Sequence, residues 1–215
     1  MGQLIEPRAE KSTEQRILDA AHTVFIAHGT AGARMQDIAE EAGVNQALLH
    51  YYFRNKERLS AAVFRRAASE LFPPVIRLLA SDAGLEDKVE RVVDLYLRQL
   101  LQAPYLPGYI ISELTHRPGR VRELITALTG KTAEDTSSPV LAALRRQLDE
   151  RQRAGTLQPI AAEDFMVNLM SLCVFPFAAR PMLMAMFRMD QKDFEQFIER
   201  RRREIAAFFM RALRP

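Results

Sequence analysis

Gln46, His50, Tyr51 and Lys56 place four hydrogen-bonding side chains in one short stretch of the chain. The chemistry open to such a set is recognition rather than bond-making. A glutamine can pair with the edge of an adenine. Tyrosine and histidine can donate to phosphate oxygens. A lysine opening a helix adds its ammonium to the free backbone N–H groups there. His50, Tyr51 and Tyr52 are consecutive, and no helix buries three successive residues of that size on one face, so some of them must face outward.

Catalytic chemistry has no comparable basis. His22, His28, His50 and His116 lack metal-ligand spacing, and Cys173 has no base near it in sequence. Gly130-Lys131-Thr132 resembles the end of a phosphate-binding loop, but Ile125 stands where that loop needs glycine. The chain is read as a non-enzyme with no metal and no cofactor.

The elements that must position the donors are helices. Ala39, Gly43, Val44 and Leu49 have the spacing A-x-x-x-G-V-x-x-x-x-L. In a helix-turn-helix, Ala39 lets the second helix cross closely and Gly43 takes the left-handed turn. Val44 plugs the corner, Asn45 caps the next helix and Leu49 pins it. The pattern predicts one helix from about Met35 to Ala42 and another from about Gln46 to Phe53. Gln46, Ala47, Leu48, His50 and Tyr51 then project outward, where such a helix enters a major groove. An earlier helix starts at the capping box Ser12-Thr13-Glu14-Gln15, with Ile17, Ala21, Val24, Phe25 and His28 along one face and a stop at Gly29. A fourth begins after Asn55, and Pro73-Pro74 is expected to interrupt it and provide a hinge.

Totals bound the reading. The 215 residues are 48% hydrophobic and 27% charged, enough for a real core. The formal net charge of +3 is weak evidence for a polyanion partner. Residues 1–70 hold nine Lys+Arg and nine Asp+Glu, a difference of zero, so any nucleic-acid argument rests on placement. The single cysteine and the lack of a long apolar run imply a cytoplasmic chain with no membrane partner.

The segment from Gln15 to about Phe64 resembles the DNA-binding domain of the TetR (tetracycline-repressor-like) family of transcriptional regulators. The matching residues are R-I-L-D-A-A-H-T-V-F-I-A-H-G and Q-D-I-A-E-E-A-G-V-N-Q-A-L-L-H-Y-Y-F-R-N-K-E-R-L. The resemblance implies an all-α fold: an N-terminal three-helix helix-turn-helix domain and a C-terminal helical bundle for ligand binding and dimerisation. With the boundary placed at the Pro73-Pro74 break, the chain is read as a flexible arm over 1–11, a DNA-binding domain with a linking fourth helix over 12–72, and an effector and dimer domain over 73–215. The resemblance implies a homodimeric repressor that binds a palindromic double-stranded operator and leaves it when a small, mainly apolar effector binds. DNA contact is assigned to Gln46, Ala47, Leu48, His50, Tyr51, Tyr52 and Lys56. Three residues depart from the family pattern. Arg34 replaces a capping Thr or Ser and can meet a phosphate. Leu48 replaces a small polar residue and can read a thymine methyl. His50 stands where tyrosine is frequent.

The C-terminal half fits an effector pocket or only a core. Tyr96, Tyr109, Glu113, His116, Met170, Cys173, Phe175 and Phe177 are the pocket candidates. Tyr109, Glu113 and His116 fall on one helix face, which equally suits a solvated face or a local Glu113–His116 pair. Pro176 and Pro181 should kink the Met-rich segment over 161–187. By the resemblance, Phe194, Phe197, Ile198, Ile205, Phe208 and Phe209 on the last helix are dimer candidates. Arg200–Arg203 circles that helix and is read as a solvated surface. The competing reading is a helical ligand-binding or scaffold protein whose helix-turn-helix is purely structural.

Overall fold

Eleven α-helices and no strand make up the described residues, 12–129 and 139–215, of a computed structural model. The expected arm over 1–11 and the Gly130-Lys131-Thr132 segment lie outside them. The all-α expectation holds. Two units pack separately, one ending at Phe64 and the other running from Arg65 to Pro215; the boundary expected at 72/73 falls further along the same helix.

In the first unit, α1 (Thr13–Gly32) opens with the predicted capping box, Ser12 and Gln15 bonding reciprocally at 3.2 Å. Ile17, Ala21, Val24 and Phe25 are buried as expected, but His28 is exposed. Gly29 sits at φ +66°, ψ 160°. The expected stop is thus a break, after which a last turn reaches Gly32. Helix α2 (Met35–Ala42) ends at Gly43, which has the left-handed φ +63°, ψ 39°. Val44 N–H then bonds back to the Ala39 carbonyl at 3.0 Å, closing the turn as a C-terminal cap should. Asn45 caps α3 (Gln46–Phe53) through Leu48 N–H at 2.7 Å.

Helix α4 (Lys56–Ala80) corrects one expectation. Pro73 and Pro74 lie inside it and do not interrupt it. Leu71, Val75 and Leu79 are all buried, and their four-residue spacing needs a continuous helix. Burial of that stripe outweighs the roughly 3 kcal/mol that an interior proline costs. The hinge inferred from the proline pair loses its basis.

The second unit is built on α5 (Leu85–Gln102), which packs against α9 (Ala162–Ala178) and α11 (Gln191–Ala212). Helices α6 (Leu106–His116) and α8 (Pro139–Arg153) also pack on α9, and α7 (Arg120–Thr129) packs on α6. Between α9 and α10 (Arg180–Phe187) the chain bends by 69°. Pro176 and Pro181 flank that bend, as predicted. No single described helix is long and apolar enough to cross a membrane. Phe165 meets Phe209 at 5.0 Å between ring centroids, and Phe177 meets Phe194 at 5.7 Å, so the core includes much of the aromatic content of α9 and α11.

Candidate nucleic-acid interface

Helix α3 is held by two side chains. Leu49 and Phe53, one turn apart, are buried. With those two fixed, the residues between them have no route inward. Tyr51 is 80% exposed and Tyr52 41% exposed, and their rings meet edge to face at 5.5 Å. Gln46, Ala47 and His50 are also exposed, while Leu48 is half-buried. Six of the eight expected contact residues therefore lie on one short helix. Arg34 is exposed at the start of α2 and makes no side-chain capping bond, consistent with a cation left available for phosphate.

Lys56 behaves differently. Its ammonium donates to the carbonyls of Ala31 and Ala33, each at 3.0 Å. It ties the start of α4 to the chain at the end of α1, leaving one of its three protons for a phosphate. The sequence reading missed this because both acceptors are backbone groups more than twenty positions away.

His50 Nδ1 lies 2.9 Å from the Arg54 carbonyl. Donation from Nδ1 leaves Nε2 open to solvent. Arg54 has φ +60°, a costly conformation for a residue with a side chain. Its N–H donates to the His50 carbonyl at 2.8 Å, so His50 and Arg54 close the end of α3 reciprocally. Arg54 is exposed there. It is a cation that the motif reading passed over, although its position directly after Tyr51-Tyr52-Phe53 is the signal that points to it.

The effector candidates are scattered by the fold. Tyr96, Tyr109, Cys173 and Phe177 are buried. Burial pushes the Cys173 thiol up to about 12 and raises the Tyr96 phenol well above its ordinary range. These are core groups in this conformation. Met170 is half-buried, whereas His116 and Phe175 are exposed. The Tyr109-Glu113-His116 face thus divides. Glu113 pairs with Arg117 at 3.5 Å and with buried Arg120 at 3.6 Å, not with His116, whose Nδ1 sits 2.8 Å from the Ser112 carbonyl. A cleft of about 700 Å³ is lined by Pro74, Arg77, Glu90, Asp94 and neighbours, and none of the candidates lines it.

The dimer candidates need a like correction. Phe194, Ile198, Ile205 and Phe209 are buried within the chain itself, so they are spent on its own core. Phe197 is half-buried, and Phe208 is 55% exposed in a cleft of about 530 Å³ with Leu172 and Arg211. The arginine run is not wholly solvated either. Arg201 donates to the Leu172 carbonyl at 2.9 Å, and Arg202 bridges Glu199 and Asp94.

Residues 17–63 match the family model described as bacterial regulatory proteins, tetR family. Residues 86–208 match the tetracyclin repressor-like C-terminal domain. The HTH-type transcriptional repressor SCO4008 of Streptomyces coelicolor is 32% identical over 117 residues, 53% of this chain and 59% of that protein. The HTH-type transcriptional regulator RutR of Escherichia coli is 44% identical over 59 residues, 27% of this chain and 28% of that protein. Matched stretches span from 41% to 59% of the length of the first three curated relatives. A solved TetR family transcription regulator from Marinobacter aquaeolei shares the fold at a TM-score of 0.62 and 18% identity, covering 94% of this chain and 95% of that one.

Proposed function

We propose, from the premise that this chain belongs to the tetR family of helix-turn-helix transcriptional regulators, that it is a ligand-responsive repressor binding a palindromic operator as a homodimer. The observation that carries the reading is Tyr51, 80% exposed on a helix whose Leu49 and Phe53 are buried. Beside exposed His50, Tyr52 and Arg54, its hydroxyl is a donor aimed outward, suited to a phosphate oxygen. Gln46, at the first turn of α3, is placed to meet a base edge, and Arg34, Arg54 and the remaining Lys56 proton suit phosphates. Two copies of α3 then read half-sites about one turn of DNA apart, roughly 34–36 Å. Exposed Phe208 on α11, with Val167 and Phe175 on α9, supplies apolar surface for a second copy. An effector in the C-terminal unit releases DNA only by favouring a conformation with a different spacing of the two α3 helices.

Fluorescence anisotropy on DNA from upstream of its own gene tests the reading. Affinity should fall linearly as the logarithm of salt rises. Tyr51→Ala should weaken binding by on the order of tenfold or more and shift folding stability by no more than about 0.5 kcal/mol. Salt-insensitive binding, or a Tyr51→Ala protein that binds as wild type, defeats the proposal. Light scattering at twice the chain mass is the expected result for the dimer.

A further inference from the structure

Arg180 opens α10 and is 6% exposed. Its Nη2 donates to Gln191 Oε1. Nε and Nη1 are both shut off from solvent and have no acceptor among the described residues. No carboxylate pairs with Arg180 among the described residues; the Glu195 carboxylate reaches it only through Gln191, whose Nε2 it accepts from. Glu195 thereby fixes the Gln191 amide with its oxygen toward the guanidinium.

Two rings bracket the charge. The Arg180 guanidinium carbon lies 4.8 Å from the Tyr105 ring centroid and 5.2 Å from that of Phe194. Phe194 is buried, whereas Tyr105 is 53% exposed on the short connection between α5 and α6. Ring faces soften the cost of a buried guanidinium but do not replace two hydrogen-bond acceptors and a counter-charge. The location adds to the cost. Arg180 is the first residue of α10, an N-terminus without a side-chain cap, and a cation stands at the wrong end of that helix dipole. The open Nε–H and Nη1–H groups and the uncapped start of the helix both favour an anion.

We propose that Arg180 anchors the carboxylate of a small organic acid with an apolar or aromatic body, and that Tyr105 is the lid over it. The single positive charge matches one carboxylate. The unfilled Nε–H and Nη1–H groups supply charge-assisted bonds to it. Phe194, edge to face with Phe177 at 5.7 Å, offers an aromatic wall for the body of the ligand. Nε and Nη1 are closed to solvent in this conformation, so entry requires Tyr105 to swing outward. A ligand of this class serves as effector only if the regulator reading above holds; binding itself does not depend on DNA.

Calorimetric titration of the full chain, without DNA, separates the two. The probes are benzoate, its neutral isostere benzamide, and inorganic phosphate. Benzoate should bind at least about tenfold more tightly than benzamide or phosphate, the margin that a charge-assisted bond provides. Arg180→Met should lose that preference while melting at or above the wild-type temperature, because removing an unpaired buried charge is neutral or stabilising. Tyr105→Ala should bind benzoate with faster association. Equal binding of benzoate and benzamide on the wild-type chain overturns the site without any variant. So does an Arg180→Met protein that binds benzoate normally or melts well below wild type, which would make the guanidinium structural. Phosphate binding as tightly as benzoate overturns the carboxylate assignment. Failure to bind operator DNA, with benzoate preference intact, overturns the regulator reading alone.

Discussion

Helices α3 and α10 are both eight residues long, yet they treat their polar groups in opposite ways. Helix α3 buries Leu49 and Phe53 and turns its polar side chains out. Helix α10 buries Arg180 and Leu183 and leaves Met182, Met186 and Phe187 exposed. The first is an ordinary amphipathic helix with a capped start and an outward function. The second inverts the pattern, placing its one charge inside and much of its apolar surface outside. Its surroundings come from elsewhere in the chain: Tyr105 on the α5–α6 connection supplies one ring, and α11 supplies Phe194 and the Gln191 amide around Arg180. Outward chemistry can thus follow from local pattern alone, whereas inward chemistry depends on residues distant in sequence.

Breaking a satisfied inward charge should give the largest effect. Glu113 and Arg120 are both nearly closed to solvent and lie 3.6 Å apart. Glu113→Ala takes a buried carboxylate partner from Arg120, and about 3–5 kcal/mol of stability should be lost. Urea denaturation reads this directly. Set against an Arg180→Met protein that loses nothing, the result would separate a charge the fold has paired from one it has left open. A loss below about 1 kcal/mol would erase that distinction.

The α3 side of the comparison is probed at its turn. Gly43→Ala adds a Cβ that meets no atom within 4 Å, so the cost is conformational alone. At φ +63° it should be about 1–2 kcal/mol. DNA affinity should fall too, because Gly43 sets the angle at which α3 leaves α2. Unchanged stability would mean that the turn relaxes to another conformation.

How far the sequence was legible follows the same division. Helices α2 and α3 begin and end where their own residues say, because Gly43 and Asn45 are local signals with local partners. The 69° bend was readable from Pro176 and Pro181. The proline pair in α4 misled because the buried stripe Leu71, Val75 and Leu79 overrides a local preference. Phe194, Ile198, Ile205 and Phe209 misled because an apolar helix face looks the same whether it meets its own core or a second copy. Lys88 gave no sign of burial. It is wholly enclosed, donating to the Leu79 carbonyl at 2.8 Å and to Gln147 Oε1 at 2.9 Å. Gln147 lies 59 positions away, beyond any local pattern, and so do the ring neighbours of Arg180.

An ion pair at the surface of the second unit should give the smallest effect and a defined pH dependence. Arg151 grips Glu86 with two parallel bonds, at 3.0 and 2.7 Å, and the side chains remain 37% and 49% exposed. The Arg151 bonds hold the Glu86 carboxyl below its ordinary range. A carboxyl whose folded value is depressed adds stability above its unfolded value, and that stability is lost as pH falls through the folded one. Arg151→Ala should therefore cost no more than about 1 kcal/mol near neutrality, given the exposure of both partners. The gap between the two melting curves should close on acidification below the ordinary carboxylate range and narrow in high salt. A gap that stays constant into acid would show that Arg151 acts through its contact with Thr156, where Nε meets Oγ1 at 2.8 Å, rather than through charge.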